Sequence, residues 1–221
     1  MSQNLQTAIE RSRAPRPRLG RPTAAEAAEI SRAILAAARD RFLEAGYEGA
    51  TMDDIAERAG VPKSTLYKRH GDKLSLLRHV IRERIAAVSE VSSANNASLP
   101  DDLEARLKKH AIDVLTSPAS EEIKALAHLA KGNWEGAAEV AALVHQMGYM
   151  QMVDYLETEI AAHSDRAGGA PRDSRSVAVA LMSQLSGWLE NRPPGSKTPH
   201  ADAIAFAERA VELLIGGRAV W

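Results

Sequence analysis

The stretch TMDDIAERAGVPKSTLYKRHGDKLSLL, residues 51–77, decides the fold of this chain. Two short segments within it flank Gly60-Val61-Pro62, where a glycine and a proline together indicate a tight turn. The proline also suits the first turn of a helix, because it lacks a backbone N–H that would have no helical partner there. We therefore predict one short helix over residues 51–59 and a second over Lys63–His70.

An amphipathic helix is predicted before this stretch, over Ala24–Ala45. Thr23 and Glu26 have the spacing of a capping box, in which each side chain satisfies a backbone N–H at the helix start. Apolar residues then recur at helical spacing as far as Phe42. Gly46 is the expected stop, because glycine adopts the left-handed cap conformation at low cost.

A long helix is predicted after the stretch, starting near Lys73 behind a cap at Asp72 and fading in the polar run Ser92–Ser98. Five more helices are predicted over Asp101–Leu115, Ser120–Lys131, Trp134–Ala162, Asp173–Asn191 and His200–Ile215. The fold class is therefore all-α. We divide the chain into a flexible basic arm (residues 1–22), a three-helix helix-turn-helix domain (residues 23–72) and a second helical domain (residues 73–221).

The composition favours helices and excludes several kinds of site. Aromatic residues make up 4% of the chain, whereas strands favour aromatic and β-branched residues. The chain has no cysteine, which excludes a disulfide framework, a thiol nucleophile and cysteine zinc sites. The first ten residues lack the apolar core of a signal peptide, and no apolar stretch approaches the roughly 18 residues that span a bilayer. We expect a soluble cytoplasmic protein without a membrane partner or a cofactor.

Positive charge is concentrated near the amino terminus. Between Arg11 and Arg84 lie 16 of the 28 Lys and Arg residues but only 10 of the 29 Asp and Glu residues. This uneven distribution indicates that the amino-terminal third meets a polyanion. The arm is rich in arginine and proline, and we expect Arg18 and Arg21 to enter a DNA minor groove. The alternatives are loose attraction of the arm to phosphates and a disordered tail that aids solubility.

The second short helix has the character of a DNA-reading helix. In a helix-turn-helix, the first helix braces against the DNA backbone and the second lies in the major groove, where base edges present a distinguishable pattern. Lys63–His70 carries several hydrogen-bond donors and no acid, and Leu66 is expected to anchor it inward. We therefore predict sequence-specific binding to double-stranded DNA.

The chain resembles the TetR family of bacterial transcriptional regulators over about residues 24–80. The resemblance combines helix caps, the glycine turn and the second short helix at matching spacing. The residues that carry it are Phe42, Gly46, Thr51, Ile55, Ala56, Ala59, Gly60, Val61, Thr65, Leu66, Tyr67, Lys73 and Leu77. One position departs from the family pattern, because His70 stands where phenylalanine is usual. Its imidazole either fills the same pocket or faces phosphate.

The resemblance implies a set of DNA contacts. It implies that Lys63, Ser64, Thr65 and Lys68 reach base edges. It also implies that Thr51, Tyr67 and Lys73 contact phosphates. The expected DNA-binding residues are Arg18, Arg21, Thr51, Lys63, Ser64, Thr65, Tyr67, Lys68, Arg69, His70 and Lys73.

The resemblance also implies a carboxy-terminal domain that binds a small-molecule effector and forms a homodimer. The stretch from DVLTSPASEEIKALAHLA onward is similar to the carboxy-terminal domains of some AefR-like members. Side chains suited to an apolar ligand with polar anchors, or alternatively to ordinary core packing, are His128, Trp134, His145, Met147, Tyr149, Met150, Met152, Tyr155 and Trp188. A dimer seam between the last two helices would use Val177, Leu181, Leu185, Ile204, Val211 and Leu214.

The sequence thus predicts a repressor that an effector releases from a palindromic operator. Two alternatives remain open: a non-specific architectural DNA-binding protein, and a helical ligand-binding or enzymatic protein whose basic region is incidental. We predict no enzymatic activity, because the chain has no GxSxG, P-loop or HExxH pattern. We predict no metal site, because the histidines do not fall at HxxxH spacing.

Overall fold

The computed structural model describes residues 23–96, 99, 101–164, 173–191 and 200–217. Every regular element within these ranges is helical, so the all-α prediction is confirmed there. The basic arm over residues 1–22, with Arg18 and Arg21, lies outside the described residues. Within the described ranges, no helix combines the length and the apolar character needed to cross a bilayer.

The first four helices follow the predicted order closely. They are α1 (Ala24–Gly49), α2 (Met52–Arg58), α3 (Lys63–His70) and α4 (Lys73–Asn96). Thr51 caps α2, because its Oγ1 accepts a hydrogen bond from the backbone N–H of Asp54 at 3.1 Å. Asp72 caps α4 in the same way, accepting from the N–H of Ser75 at 2.7 Å.

Helix α1 has the predicted start and a modified end. The capping box between Thr23 and Glu26 is formed. Gly46 adopts φ 72° and ψ 178°, so the regular helix is interrupted there and a short helical turn continues to Gly49. A positive φ of this size is strained for residues with a side chain, which explains a glycine at the predicted stop.

Six more helices and one π-helical segment follow. They are α5 (Leu103–Thr116), α6 (Pro118–Leu129), α7 (Ala137–Val144), the π-helical segment His145–Met150, α8 (Gln151–Ser164), α9 (Ser174–Glu190) and α10 (His200–Gly216).

The π-helical segment corrects the prediction of one regular helix over Trp134–Ala162. The helix begins at Ala137, and the backbone stays helical through the segment into α8. A π-turn contains one more residue than an α-turn, so it rotates the following residues relative to those before it. Met147 packs on one hydrophobic core and Tyr149 on the other, because residues two positions apart lie on opposite sides of a helix.

Two hydrophobic cores hold the helices together. The first core joins α1–α4 to α6 and α7, so it crosses the predicted domain boundary after residue 72. Its largest buried members include Ile34, Phe42, Ile55, Leu66, Ile81 and Leu126. The second core lies among α5, α8, α9 and α10, with Leu107, Leu156, Ile160 and Leu181 fully buried. Helices α5 and α8 therefore belong to a different core from α2 and α3, whereas α6 packs on α1 and α4, and α7 packs on α4.

The second core revises the predicted dimer seam. Four of its six residues are buried inside the subunit itself, at 0–7% exposure: Val177, Leu181, Leu185 and Val211. Ile204 and Leu214 are half-buried. Apolar periodicity marks the buried stripe of a helix, and it does not distinguish a subunit's own core from a seam between subunits. On the outer faces of the same two helices, Val179 and Leu213 are the large apolar side chains that remain exposed.

Candidate nucleic-acid interface

One face of α3 is open to solvent. Lys63, Ser64, Tyr67 and Lys68 are exposed, and at 100° per residue they lie within about 140° of the helix circumference. Leu66 points the other way and is completely buried in the first core. Thr65 is half-buried beside this face. The structure therefore brings four of the expected base- or phosphate-contacting side chains together on one accessible surface, which we call the reading face.

Lys63 has a partner that the sequence did not indicate. Its Nζ lies 2.5 Å from the Oδ2 of Asp53 on α2, and both side chains are more than half exposed. An exposed ion pair of this kind contributes little to stability. Its effect on the interface is to hold the lysine toward α2 until a competing anion replaces the carboxylate.

Arg69 differs from its neighbours on α3, because its guanidinium contacts α1. Nη1 donates to Oγ of Ser31 at 2.8 Å and to the carbonyl of Ala27 at 3.3 Å. Arg69 was expected to contact DNA, and the structure instead places this end of the side chain where it ties the reading helix to α1. A DNA contact by Arg69 would compete with these two hydrogen bonds.

His70 lies against α4. Its Nδ1 is 3.2 Å from the Nδ1 of His79, and the two rings meet edge to face with centroids 5.0 Å apart. Burial lowers the pKa of His70, and the nearby His79 and Arg69 lower it further. Its Nε2 is buried without a hydrogen-bond partner among the described residues. This geometry corresponds to the first of the two alternatives, in which the imidazole packs inward like the usual phenylalanine.

A consistent proton arrangement follows for this histidine pair. A neutral imidazole has one N–H and one acceptor nitrogen, and a buried donor without a partner costs more than a satisfied one. One Nδ1 of the pair therefore carries a proton that it donates to the other.

The two expected phosphate contacts outside α3 both lie at helix starts. Thr51 is exposed at the N-cap of α2. Its Oγ1 accepts the capping hydrogen bond through a lone pair, so the hydroxyl proton remains available to donate. Lys73 begins α4, and its Nζ donates to the carbonyls of Ala50 at 3.0 Å and Glu48 at 3.4 Å. An ammonium group has three N–H donors, so one remains available for a phosphate.

The expected effector-binding residues do not line one cavity together. A cleft of about 400 Å³ lies between the end of α1 and the turn from α6 to α7, and His128 and Trp134 are the members of the set that line it. Tyr149, Met152, Tyr155 and Trp188 pack on the second core. His145 is exposed and stacks on Tyr149, and Met150 is half-buried. The structure therefore separates the set into two places.

A polar network that the sequence did not indicate lies beside the second core. Arg106 donates to Oε2 of Glu159 through Nε and Nη2, both at 2.6 Å. His110 is buried, and its Nε2 lies 3.0 Å from the hydroxyl of Tyr155. Burial is the main cause that lowers the pKa of His110, so the imidazole stays neutral near pH 7. Charged residues on an amphipathic helix are usually solvated, so nothing in the spacing distinguished these two.

Among the described residues, no group of three or more His, Asp or Glu side chains could hold a metal ion.

Comparison with known proteins identifies relatives. Residues 34–80, which include α2, α3 and most of α1, match the family described as bacterial regulatory proteins, tetR family. The transcriptional repressor BepR of Brucella suis is 27% identical over 200 residues, which cover 88% of this chain and 94% of BepR. The family and this relative are transcriptional regulators and not enzymes.

Solved structures share the fold. A protein from Mesorhizobium loti described as a TetR-family transcriptional regulator superimposes with a TM-score of 0.73 at 21% identity, covering 88% of this chain and 98% of that protein. AibR, solved in complex with isovaleryl coenzyme A and operator DNA, superimposes with a TM-score of 0.55 at 23% identity, covering 83% of this chain and 97% of AibR.

Proposed function

We propose that this chain, whose residues 34–80 match the tetR family, is a transcriptional regulator that represses transcription by binding a palindromic operator as a homodimer. The observation that carries the proposal is the reading face: four exposed donor side chains on one side of α3, with Leu66 anchored in the core behind them. Such a helix fits the major groove, where donors read base edges.

The roles within the interface follow from the contacts. Lys63, Ser64 and Lys68 read bases, and Tyr67, which is 49% exposed, donates its hydroxyl to a phosphate. Thr51 and the remaining N–H of Lys73 bind phosphates on either side. In this proposal Arg69 and His70 act from behind, by fixing the end of α3 against α1 and α4.

Dimerisation is proposed through the outer faces of α9 and α10. The inner faces are occupied by the second core, so a partner subunit meets the opposite surfaces. Leu213 is 65% exposed and Val179 is 36% exposed, and small residues such as Ala180 and Ser183 accompany Val179. Small exposed residues permit close approach of helices, and a four-helix seam between two subunits would cover these side chains.

Leu213→Glu is expected to shift the protein from dimer to monomer without unfolding it. The added carboxylate would be desolvated in the seam, whereas in the isolated subunit this position is open to water. Sedimentation velocity at micromolar concentration measures the change. Glu208→Ala, at an exposed position one and a half turns away on α10, is the matched control. A stable Leu213→Glu dimer would place the seam elsewhere.

We also propose that a small-molecule effector releases the protein from DNA. AibR, which has the same fold, was solved in complex with isovaleryl coenzyme A and operator DNA, so this fold can accommodate both a small molecule and DNA. The reciprocal nature of coupling requires the operator to weaken effector binding by the same factor as the effector weakens operator binding. The similarity of the carboxy-terminal region to AefR-like members stays a prediction.

Selection of bound fragments from the genomic DNA of the source organism tests the function. We expect enrichment of a two-fold symmetric sequence with half-sites about one helical turn or somewhat more apart. Addition of metabolites related to the neighbouring genes should release the protein from this sequence. A non-specific architectural protein would instead recover fragments without a shared sequence, with equal affinity for random DNA.

A further inference from the structure

We propose that Trp134 is a positioning residue for DNA binding: its stack on Tyr47 sets the orientation of the DNA-reading helices relative to the carboxy-terminal domain. Tyr47 lies at the end of α1, and Trp134 lies in the turn between α6 and α7. Of the two tests below, the first depends on the proposed operator-binding function and the second does not.

The two rings are in close contact. Their centroids are 3.7 Å apart and their planes differ by 20°, and the indole Nε1 donates to the carbonyl of Leu129 at 2.7 Å. The indole is therefore fixed to the carboxy-terminal end of α6, and its face bears on the amino-terminal domain. Stacked aromatic pairs stabilise a contact beyond the effect of the area that they bury.

The chain on both sides of Trp134 leaves room for the indole. A Cβ on Gly132 would stand 2.9 Å from the indole Cδ1, closer than carbon atoms pack. A Cβ on Gly136 would stand 2.6 Å from Cδ2 of Leu74 on α4 and 3.3 Å from the indole Cζ3, and φ at this residue is +94°. The two glycines of the segment GNWEG, residues 132–136, thus leave space for the indole that side chains at these positions would occupy.

The stack reaches the DNA-contacting elements through one further side chain. The ammonium of Lys73 lies 4.5 Å from the centroid of the Tyr47 ring, within the range of a cation–π contact. The same ammonium donates to the carbonyl of Ala50, which directly precedes Thr51 at the N-cap of α2. A shift of Trp134 therefore acts on the starts of α2 and α4, where two of the proposed phosphate contacts are located.

Other contacts hold the middle of α1, so loss of the stack should loosen its end without unfolding the domain. Arg39 lies 3.8 Å from Glu122 on α6, and Arg84 on α4 reaches the same carboxylate at 3.1 Å. Leu126 of α6 is completely buried in the first core. Arg39 lies in the regular part of α1, whereas Tyr47 lies beyond the interruption at Gly46.

The first test compares Trp134→Leu with Trp134→Phe on a series of operator duplexes. Three duplexes carry the same two half-sites at different separations. The first has the separation found in the selected operator, the second is one base pair shorter, and the third is one base pair longer. Trp134→Leu is expected to lower affinity at the selected separation about three- to tenfold, with smaller losses at the other two, so the dependence on separation flattens. Trp134→Phe retains a ring for the stack and should keep most of the dependence. Equal losses at all three separations, or no loss, would contradict the positioning role.

The second test does not require DNA and remains decisive if no operator is found. Hydrogen–deuterium exchange of Trp134→Leu should be about three- to tenfold faster at the amides of Ala50 and Asp54, which bond to Gly46 and Thr51. The helices α9 and α10 should exchange as in the unsubstituted protein. Phe206→Leu, which removes the Trp188–Phe206 stack inside the carboxy-terminal domain, is the matched control and should show the opposite pattern. Unchanged exchange at Ala50 and Asp54, or the same pattern in both variants, overturns the inference.

Discussion

Replacing Lys63 and Lys68 together by alanine is expected to lower affinity for the operator about 100-fold or more while leaving the fold intact. Both side chains lie on the exposed reading face of α3, and a good side-chain contact to a base is worth about 1–3 kcal/mol. The ion pair between Lys63 and Asp53 is exposed, so its loss should barely change the melting temperature. Fluorescence anisotropy at one fixed salt concentration measures the affinity for the operator and for a scrambled duplex.

A matched variant separates the reading face from overall charge. Lys109→Ala with Lys124→Ala removes the same two positive charges from α5 and α6, away from the reading face. We expect this control to lower the affinity for both duplexes slightly and equally, as a screened long-range effect. A comparable loss in the control and in the Lys63 and Lys68 variant would mean that binding depends on total charge, which is the architectural alternative.

Arg106→Met is expected to lower the free energy of unfolding by about 3–5 kcal/mol, because it leaves the carboxylate of Glu159 without its partner. Arg106 is 9% exposed, and the side chain of Glu159 is 13% exposed. The neighbouring His110 replaces the lost charge only in part: loss of Arg106 removes one cause that lowers its pKa, but burial, the largest such cause, remains. Urea denaturation followed by circular dichroism measures the change.

The double variant Arg106→Met with Glu159→Leu distinguishes a lost charge partner from lost packing. Replacing both members of a buried ion pair by apolar residues is often neutral or stabilising, so the double variant should recover most of the stability. Lys108→Met is the control, because its ion pairs with Glu104 and Glu212 are exposed and should contribute little. A double variant as unstable as Arg106→Met alone would show that the guanidinium acts through packing.

Local signals in the sequence were sufficient for the helix-turn-helix. The caps at Thr23, Thr51 and Asp72 and the interruption at Gly46 lie where their spacing predicts, since each depends on neighbours within a few residues. The exposed face of α3 follows from the same periodicity. The family match over residues 34–80 agrees with the stretch from which the prediction was made.

Caps and apolar spacing do not predict contacts between residues that are distant in sequence. Arg69 donates a hydrogen bond to Ser31, which lies 38 residues earlier in the chain. The local sequence around Arg69 does not predict this partner. Likewise, the periodicity of α9 and α10 revealed an apolar stripe, but not whether the subunit or a second subunit covers it. Trp134 was assigned to an effector pocket by its residue type, and its stack on Tyr47 is visible only when α1 and α6 are packed.

The sequence by itself determined the caps of the first helices, the turn and the exposed face of α3, because hydrogen-bonded caps, glycine conformation and apolar spacing act over one or two helical turns. The tertiary structure alone decided which donors are used internally. It turned Arg69 and His70 toward other helices and set Trp134 against Tyr47 at the end of α1. These outcomes depend on how helices pack around two shared cores, which fixes the neighbours of each side chain across the whole chain.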